Sequence, residues 1–189
     1  ITPWVLPWHT QIAPRADHPI GGHVWVPIDD QTCWTWSFNY HPKRSLTKEE
    51  RQAMEAGKGI HTVNTPGTFN TAANKRNDYL MDRSSQRSGA SYSGVEGIAM
   101  QDASLQESMG AIQDRTKENL CSTDNGISMM RQYLIRAAKA NIAGEDIMGL
   151  HSDHQNVRSA AVELGKDVKF SVGAREGLFA ELATDPHTV

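Results

Sequence analysis

Along Cys33–Tyr40 the chain alternates: Trp34, Trp36 and Phe38 fall on one side, Thr35, Ser37 and Asn39 on the other. A period of two predicts a strand with one buried face. Two earlier runs, Trp4–Ala13 and His23–Asp29, are rich in aromatic and β-branched residues and also read as strands. The polar turn Asp29–Thr32 between the last two runs predicts an antiparallel hairpin. All five Trp lie in this N-terminal segment. The plain reading places them in sheet core; the sharper reading lines an aromatic pocket with some of them.

Beyond residue 44 the period changes. "SLTKEERQAMEAG" predicts a short charged helix capped by Ser45 or Thr47 and ended by Gly57. From Gly59 to Ser93 nothing is periodic. A loop of that length inside a domain is usually functional or disordered, and the apolar Tyr79–Leu80–Met81 patch favours an ordered, packed loop near a site. Two helices follow. One spans Gly97–Gln113; the other lies in "STDNGISMMRQYLIRAAKANI", capped by Ser122, Thr123 or Asp124. Ile127, Met130, Leu134, Ala137 and Ala138 form one apolar stripe of the second helix, so its Met residues read as core filler. The last 45 residues carry little regular signal beyond "DVKFSV" and read as a tail wrapping the domain.

The first of these helices holds a misplaced acid. On a wheel of about 100° per residue with Ile98 at zero, Leu105 falls near −20°, Met109 near +20° and Ile112 near −40°. Asp102 falls near +40°, inside that apolar face, whereas Glu107 and Asp114 fall on the opposite side and read as solvated. Asp114 is also placed to cap the turn at Arg115 and Thr116. A carboxylate on a buried face costs several kcal/mol unless it is paired, hydrogen-bonded or bound to a cation. For Asp102 the pattern leaves three options open: a buried Arg, a backbone hydrogen bond, or a metal.

Composition excludes some classes. The net charge of −3 offers no basic excess for nucleic acid and no Lys/Arg tract for a membrane surface. No apolar run approaches the roughly 20 residues of a membrane span. Cys33 and Cys121 form no CxxC pair, which suits a reducing compartment and a cytoplasmic protein. The histidines complete no site. His18 and His23 are separated by Pro19, Gly21 and Gly22, so the two rings share no helix face. "HSDH" (His151–His154) lacks the preceding H-x-H of a hydrolase metal motif. Glycine-rich phosphate loops and the G-x-S-x-G motif are absent from the sequence.

"GGHVWVPIDDQTCWTWSFNYHP", "NDYLMDR" and "GIAMQDASLQESMGAIQDRTKENLCSTDNGI", in that order and spacing, resemble the C-terminal part of Rieske non-haem iron ring-hydroxylating oxygenases. The nearest branch is the phthalate dioxygenase type, with chlorobenzoate dioxygenases and aryl ether O-demethylases. The resemblance runs from residue 1 to about residue 142. It implies an α+β fold of helix-grip (START-like) type, a curved antiparallel sheet gripping a long C-terminal helix. Residues 1–142 would be the C-terminal part of the catalytic domain and 143–189 an irregular tail on it. The resemblance further implies a mononuclear Fe(II) held by two His and one carboxylate. Carried over, that carboxylate is Asp102. Glu107 matches the acid of the motif that is not a ligand, with a hydrogen bond as its expected role. Ile98 and Leu105, flanking Asp102, become candidates for the wall of a substrate pocket, against plain core.

The implied reaction consumes O2 and electrons passed from NAD(P)H through a separate reductase and a Rieske 2Fe–2S cluster. The substrate is aromatic; Lys75, Arg76, Arg83 and Arg87 of the long loop read either as a field for an aromatic carboxylate or as a plain solvated loop. Products are a cis-dihydrodiol or, in the demethylase branch, a phenol and formaldehyde. The parent assembly would be a homotrimer or hexamer. Departures from the family pattern matter as much. The helical N-D-x2-H-x4-H segment that supplies the two His is absent, and neither His18/His23 nor the Asn77–Asp78 pair replaces it. The Rieske C-x-H and C-x2-H motifs are absent as well. With a chain that begins Ile-Thr-Pro-Trp, the expectation is a fragment that does not hold iron tightly and is inactive alone. Two other classes stand beside this reading: a metal-free helix-grip module for an apolar ligand, and a hydrolase built on the HSDH histidines.

Overall fold

Pro7 removes a backbone donor in the middle of the first aromatic run, and the run divides there into two strands. β1 (Trp4–Val5) and β2 (His9–Ile12) pair antiparallel, Val5 opposite His9. β2 pairs antiparallel with β3 (Ile20–Pro27), His9 opposite Val24 and Ile12 opposite Gly21. β4 (Cys33–Tyr40) completes a four-stranded antiparallel sheet in the order β1-β2-β3-β4. The β3–β4 hairpin closes as the sequence predicts. The Ile28 N–H donates to the Thr32 carbonyl at 3.0 Å, and the Asp29 carboxylate accepts from the N–H groups of Gln31 at 2.9 Å and Thr32 at 2.7 Å. These are described, with the rest of the fold, in a computed structural model covering residues 1–14, 17–150 and 157–179.

The described residues divide into two compact units. The first comprises residues 1–26, 34–44 and those from 114 onward. Its sheet is held at one end by Gln11, a buried polar residue. The Gln11 side-chain oxygen accepts from the Ser159 N–H at 3.0 Å and from the Tyr40 hydroxyl at 3.2 Å, and its Nε2 donates to the Val157 carbonyl at 3.3 Å. Burial along β4 follows this anchor. Phe38 and Tyr40 are partly covered, but Trp34 and Trp36 are 41% and 55% exposed, so the period of two does not mark a fully buried face. Gly22 leaves no room for a side chain: a Cβ there would lie 2.3 Å from the Phe38 ring and 2.6 Å from the Thr10 carbonyl oxygen.

α4 (Asn125–Ala143) ends at Gly144, which takes the left-handed conformation (φ +70°) expected of a helix terminator. Asp124 stands at its N-cap but makes no side-chain cap bond; its carboxylate accepts from the Cys121 N–H at 2.9 Å. Of the predicted stripe, Met130, Leu134 and Ala137 are half-buried and Ile127 and Ala138 are exposed. Glu118 ties the preceding turn to α4 through two bonds from Arg131, at 2.5 and 2.9 Å, and one from Arg115 at 3.0 Å. In the tail, Phe170–Phe179 forms a helix, α5, that the sequence pattern does not announce.

The second unit comprises residues 27–33 and 45–113. α1 (Lys48–Glu55) is capped by Thr47 in a reciprocal capping box with Glu50. The long loop is ordered around a bridge between Asn64 and Thr71, a turn at Lys75–Leu80 and α2 (Arg83–Ser88), which Asp82 caps. α3 (Ile98–Ser108) is shorter than predicted. The unit's core is Tyr79, Val95 and Met100, with Ala73, Met81 and Ala103 packed against it. Among the described residues no helix is long and apolar enough to cross a membrane.

Candidate functional site

α3 carries the acid that the wheel singles out, and the helix is rotated opposite to the wheel's expectation. Met100 is 8% exposed and Ala103 packs on the same core. Two side-chain bonds fix that face: Gln101 Nε2 donates to the Val95 carbonyl at 3.1 Å, and the Tyr79 hydroxyl donates to the Glu107 carboxylate. Ile98 and Leu105, 64% and 65% exposed, therefore point away from the core, as do Met109 and Ile112. Asp102 lies among them and is exposed, not buried. Ile98 and Leu105 stand on the outer face of α3, Met109 and Ile112 lie past its end, and the inner face is built from Met, Ala and two polar anchors. Hydrophobicity alone does not find such a face.

The partner that turns the helix is set by an unusual piece of backbone. Asp78, Tyr79 and Leu80 have φ of 51°, 55° and 53°, three successive side-chain-bearing residues in the left-handed region. That region costs such residues about 1–2 kcal/mol each. The turn is bought with hydrogen bonds: the Asn74 side chain accepts from the Arg76 N–H at 3.0 Å, the Asn77 side chain accepts from the Asn74 N–H at 2.9 Å, and the Tyr79 N–H reaches the Asn74 carbonyl at 2.9 Å. Tyr79 is turned inward, 8% exposed, and Leu80 outward, 65% exposed. Burial, and then the adjacent Glu107 carboxylate, push the Tyr79 phenol up to about 12, so it is a firm donor at neutral pH. The sequence marks the patch as apolar and anchored; it does not reveal that Tyr79 meets Glu107.

Asp102 has no hydrogen-bond or ion-pair partner among the described residues, so both carboxylate oxygens are uncommitted. No group of three or more His, Cys, Asp or Glu able to hold a metal occurs among the described residues. This donor set fits one arm of a two-His, one-carboxylate site and supplies none of the histidines. His23 stands on β3 with Nδ1 3.2 Å from the Ser37 hydroxyl and its ring against Trp25. His9 sits edge-on to Phe38, and burial lowers its pKa. His41 faces Asp17 at 3.0 Å. His151 and His154 lie outside the described residues. Of the loop cations, Lys75, Arg76, Arg83 and Arg87 are all exposed, and Arg83 sits 3.7 Å from Asp78.

These features define an α+β chain in which one helix presents an uncommitted carboxylate within an apolar outer stripe. The chain belongs to the LigXa C-terminal domain-like family, whose pattern matches residues 1–165. It is similar to the 3-chlorobenzoate-3,4-dioxygenase oxygenase subunit of Comamonas testosteroni, 30% identical across 70% of this chain and 33% of that protein. It is also similar to the phthalate 4,5-dioxygenase oxygenase subunit of Pseudomonas putida, 24% identical across 78% of this chain and 33% of that protein. The chain thus spans about a third of the length of the curated relatives it matches.

Proposed function

We propose that this chain is the C-terminal part of the catalytic domain of an aromatic ring-hydroxylating oxygenase, and that Asp102 is its carboxylate ligand to a mononuclear Fe(II). The observation that carries this reading is the placement of Asp102: an acid with no partner among the described residues, set between Ile98 and Leu105 on the open face of α3. Both relatives are oxygenase subunits, and both align over the region that includes it. In this reading the sheet and the α helices are portions of a helix-grip domain, and the two histidine ligands come from a segment upstream of this chain. The Rieske cluster, the reductase that feeds it and the trimeric or hexameric assembly belong to the same reading.

Iron held there by Asp102 would supply the site for O2 activation. Asp102 contributes an anionic oxygen, held without competing hydrogen bonds. Ile98 and Leu105 offer apolar surface beside it, suited to an aromatic ring and to excluding water. The exposed cations of the Lys75–Arg87 loop provide a positive field that favours an aromatic carboxylate.

In the complete oxygenase subunit, Asp102→Ala is expected to remove the mononuclear iron and turnover while the Rieske absorption spectrum persists. Retained turnover with retained iron would exclude Asp102 from the site. Purified alone, the 189-residue chain is expected to carry far less than one tightly bound iron, and stoichiometric iron would contradict the division of ligands. Product analysis separates the two chemistries of the family: a cis-dihydrodiol marks ring dihydroxylation, a phenol with formaldehyde marks O-demethylation.

A further inference from the structure

Among the described residues of its own unit, the helix that carries Asp102 is held from one side. Within its own unit, α3 is fixed by Met100 and Ala103 in the core, by Gln101 at its start and by Glu107 at its end. A helix is free to rotate about its axis unless side chains at separate turns are pinned. Gln101 and Glu107 lie six residues apart, more than one and a half turns. They are pinned to different loop elements, the Val95 carbonyl and the Tyr79 hydroxyl. The second of these anchors is itself raised on a turn of three left-handed residues, a conformation that persists only where the surroundings impose it.

We propose that Tyr79, through its hydrogen bond to Glu107, is a positioning residue that sets the rotation of α3 and hence the direction in which Asp102 is presented. The proposal rests on the assignment of Asp102 as an iron ligand. A helix turned by one residue's worth, about 100°, would replace Asp102 on the outer face by a neighbour. Far smaller rotations matter: a misplacement of about 1 Å at a reacting centre costs up to 100-fold in rate. The left-handed turn explains how the loop achieves this. It directs Tyr79 into the core and leaves Leu80 outside, so the phenol is delivered at a fixed height along the helix.

The test uses the complete oxygenase subunit and four variants. Tyr79→Phe keeps the ring in the core and removes only the hydroxyl. Glu107→Gln keeps an acceptor, and Glu107→Leu removes it. Asp102→Ala serves as the control for the ligand assignment. Tyr79→Phe and Glu107→Leu are expected to lower turnover about tenfold and to alter the electron paramagnetic resonance spectrum of the mononuclear iron's nitric oxide adduct, with the Rieske spectrum unchanged. Glu107→Gln is expected to retain both properties. Wild-type spectra and turnover in Tyr79→Phe and Glu107→Leu would overturn the proposal, as would equal damage in Glu107→Gln and Glu107→Leu. If Tyr79→Phe fails to fold, the contrast between the two Glu107 variants decides. Full iron content in Asp102→Ala would instead defeat the ligand assignment. Iron loss there beside a wild-type Tyr79→Phe would defeat only the role of Tyr79.

Discussion

Glu118 gathers two guanidinium groups onto one carboxylate. Hydrogen bonding to Arg131, then to Arg115, holds its carboxyl below the usual range. A depressed value means the folded state favours the ionised form. The stabilisation is therefore present above the unfolded value of about 4.3 and is lost as pH falls through the folded one. Glu118→Gln should lower the thermal midpoint near neutral pH, and the gap from wild type should close as pH drops below about 4. Circular dichroism melts across that range check it; a gap that stays constant would mean the ion pairs are not the cause. Single residues were legible in the sequence where the chemistry is local. Asp114 accepts from the Thr116 N–H at 3.0 Å and Thr47 from the Glu50 N–H at 3.1 Å, both as their spacing predicts. For Glu107 the family resemblance implied a hydrogen bond, and one is made, but its partner was not legible, because Tyr79 is 28 positions away and reaches it from a left-handed turn.

At the scale of elements, those with a strong local rule emerge where the pattern puts them. β4 has the predicted bounds, and α1 starts at its capping box and ends before Gly57, whose φ is +72°. Thr47→Ala removes the acceptor for the Glu50 N–H and should cost about 1 kcal/mol. Faster amide exchange confined to the first turn of α1 would be the signature, and unchanged exchange would show that the cap contributes nothing. Elements governed by distant contacts are less visible. α5 has no clear cap and only moderate apolar periodicity, and Gly173 within it lies where a Cβ would meet Leu164 at 2.6 Å. α3 was legible as a helix but not in its rotation. Its apolar stripe is larger than its packed face, and two polar bonds outweigh it. The wheel accordingly puts Asp102 in the core, whereas the residue is exposed on the outer face.

For the molecule as a whole, the two units differ in how their parts are gathered. The second is built mainly from the continuous stretch 45–113, and the first from three separated segments. Contacts between near neighbours form sooner than contacts that close long loops. All five Trp belong to the first unit, so their fluorescence reports on it alone. On refolding, amides of α3 should gain protection before Trp fluorescence reaches its native value; simultaneous changes would show that the units fold as one. The family was legible from the run of motifs, whereas this division was not, because it depends on which distant segments share contacts.

The bond between Gln11 and Ser159 spans 148 positions. At a synthesis rate of about 5–20 residues per second, Gln11 is made roughly 7–30 seconds before its partner exists. Through that interval the Gln11 amide has the Tyr40 hydroxyl as a partner but lacks the Val157 carbonyl and the Ser159 N–H. That end of the sheet is therefore completed last, when the Val157–Ser159 segment arrives.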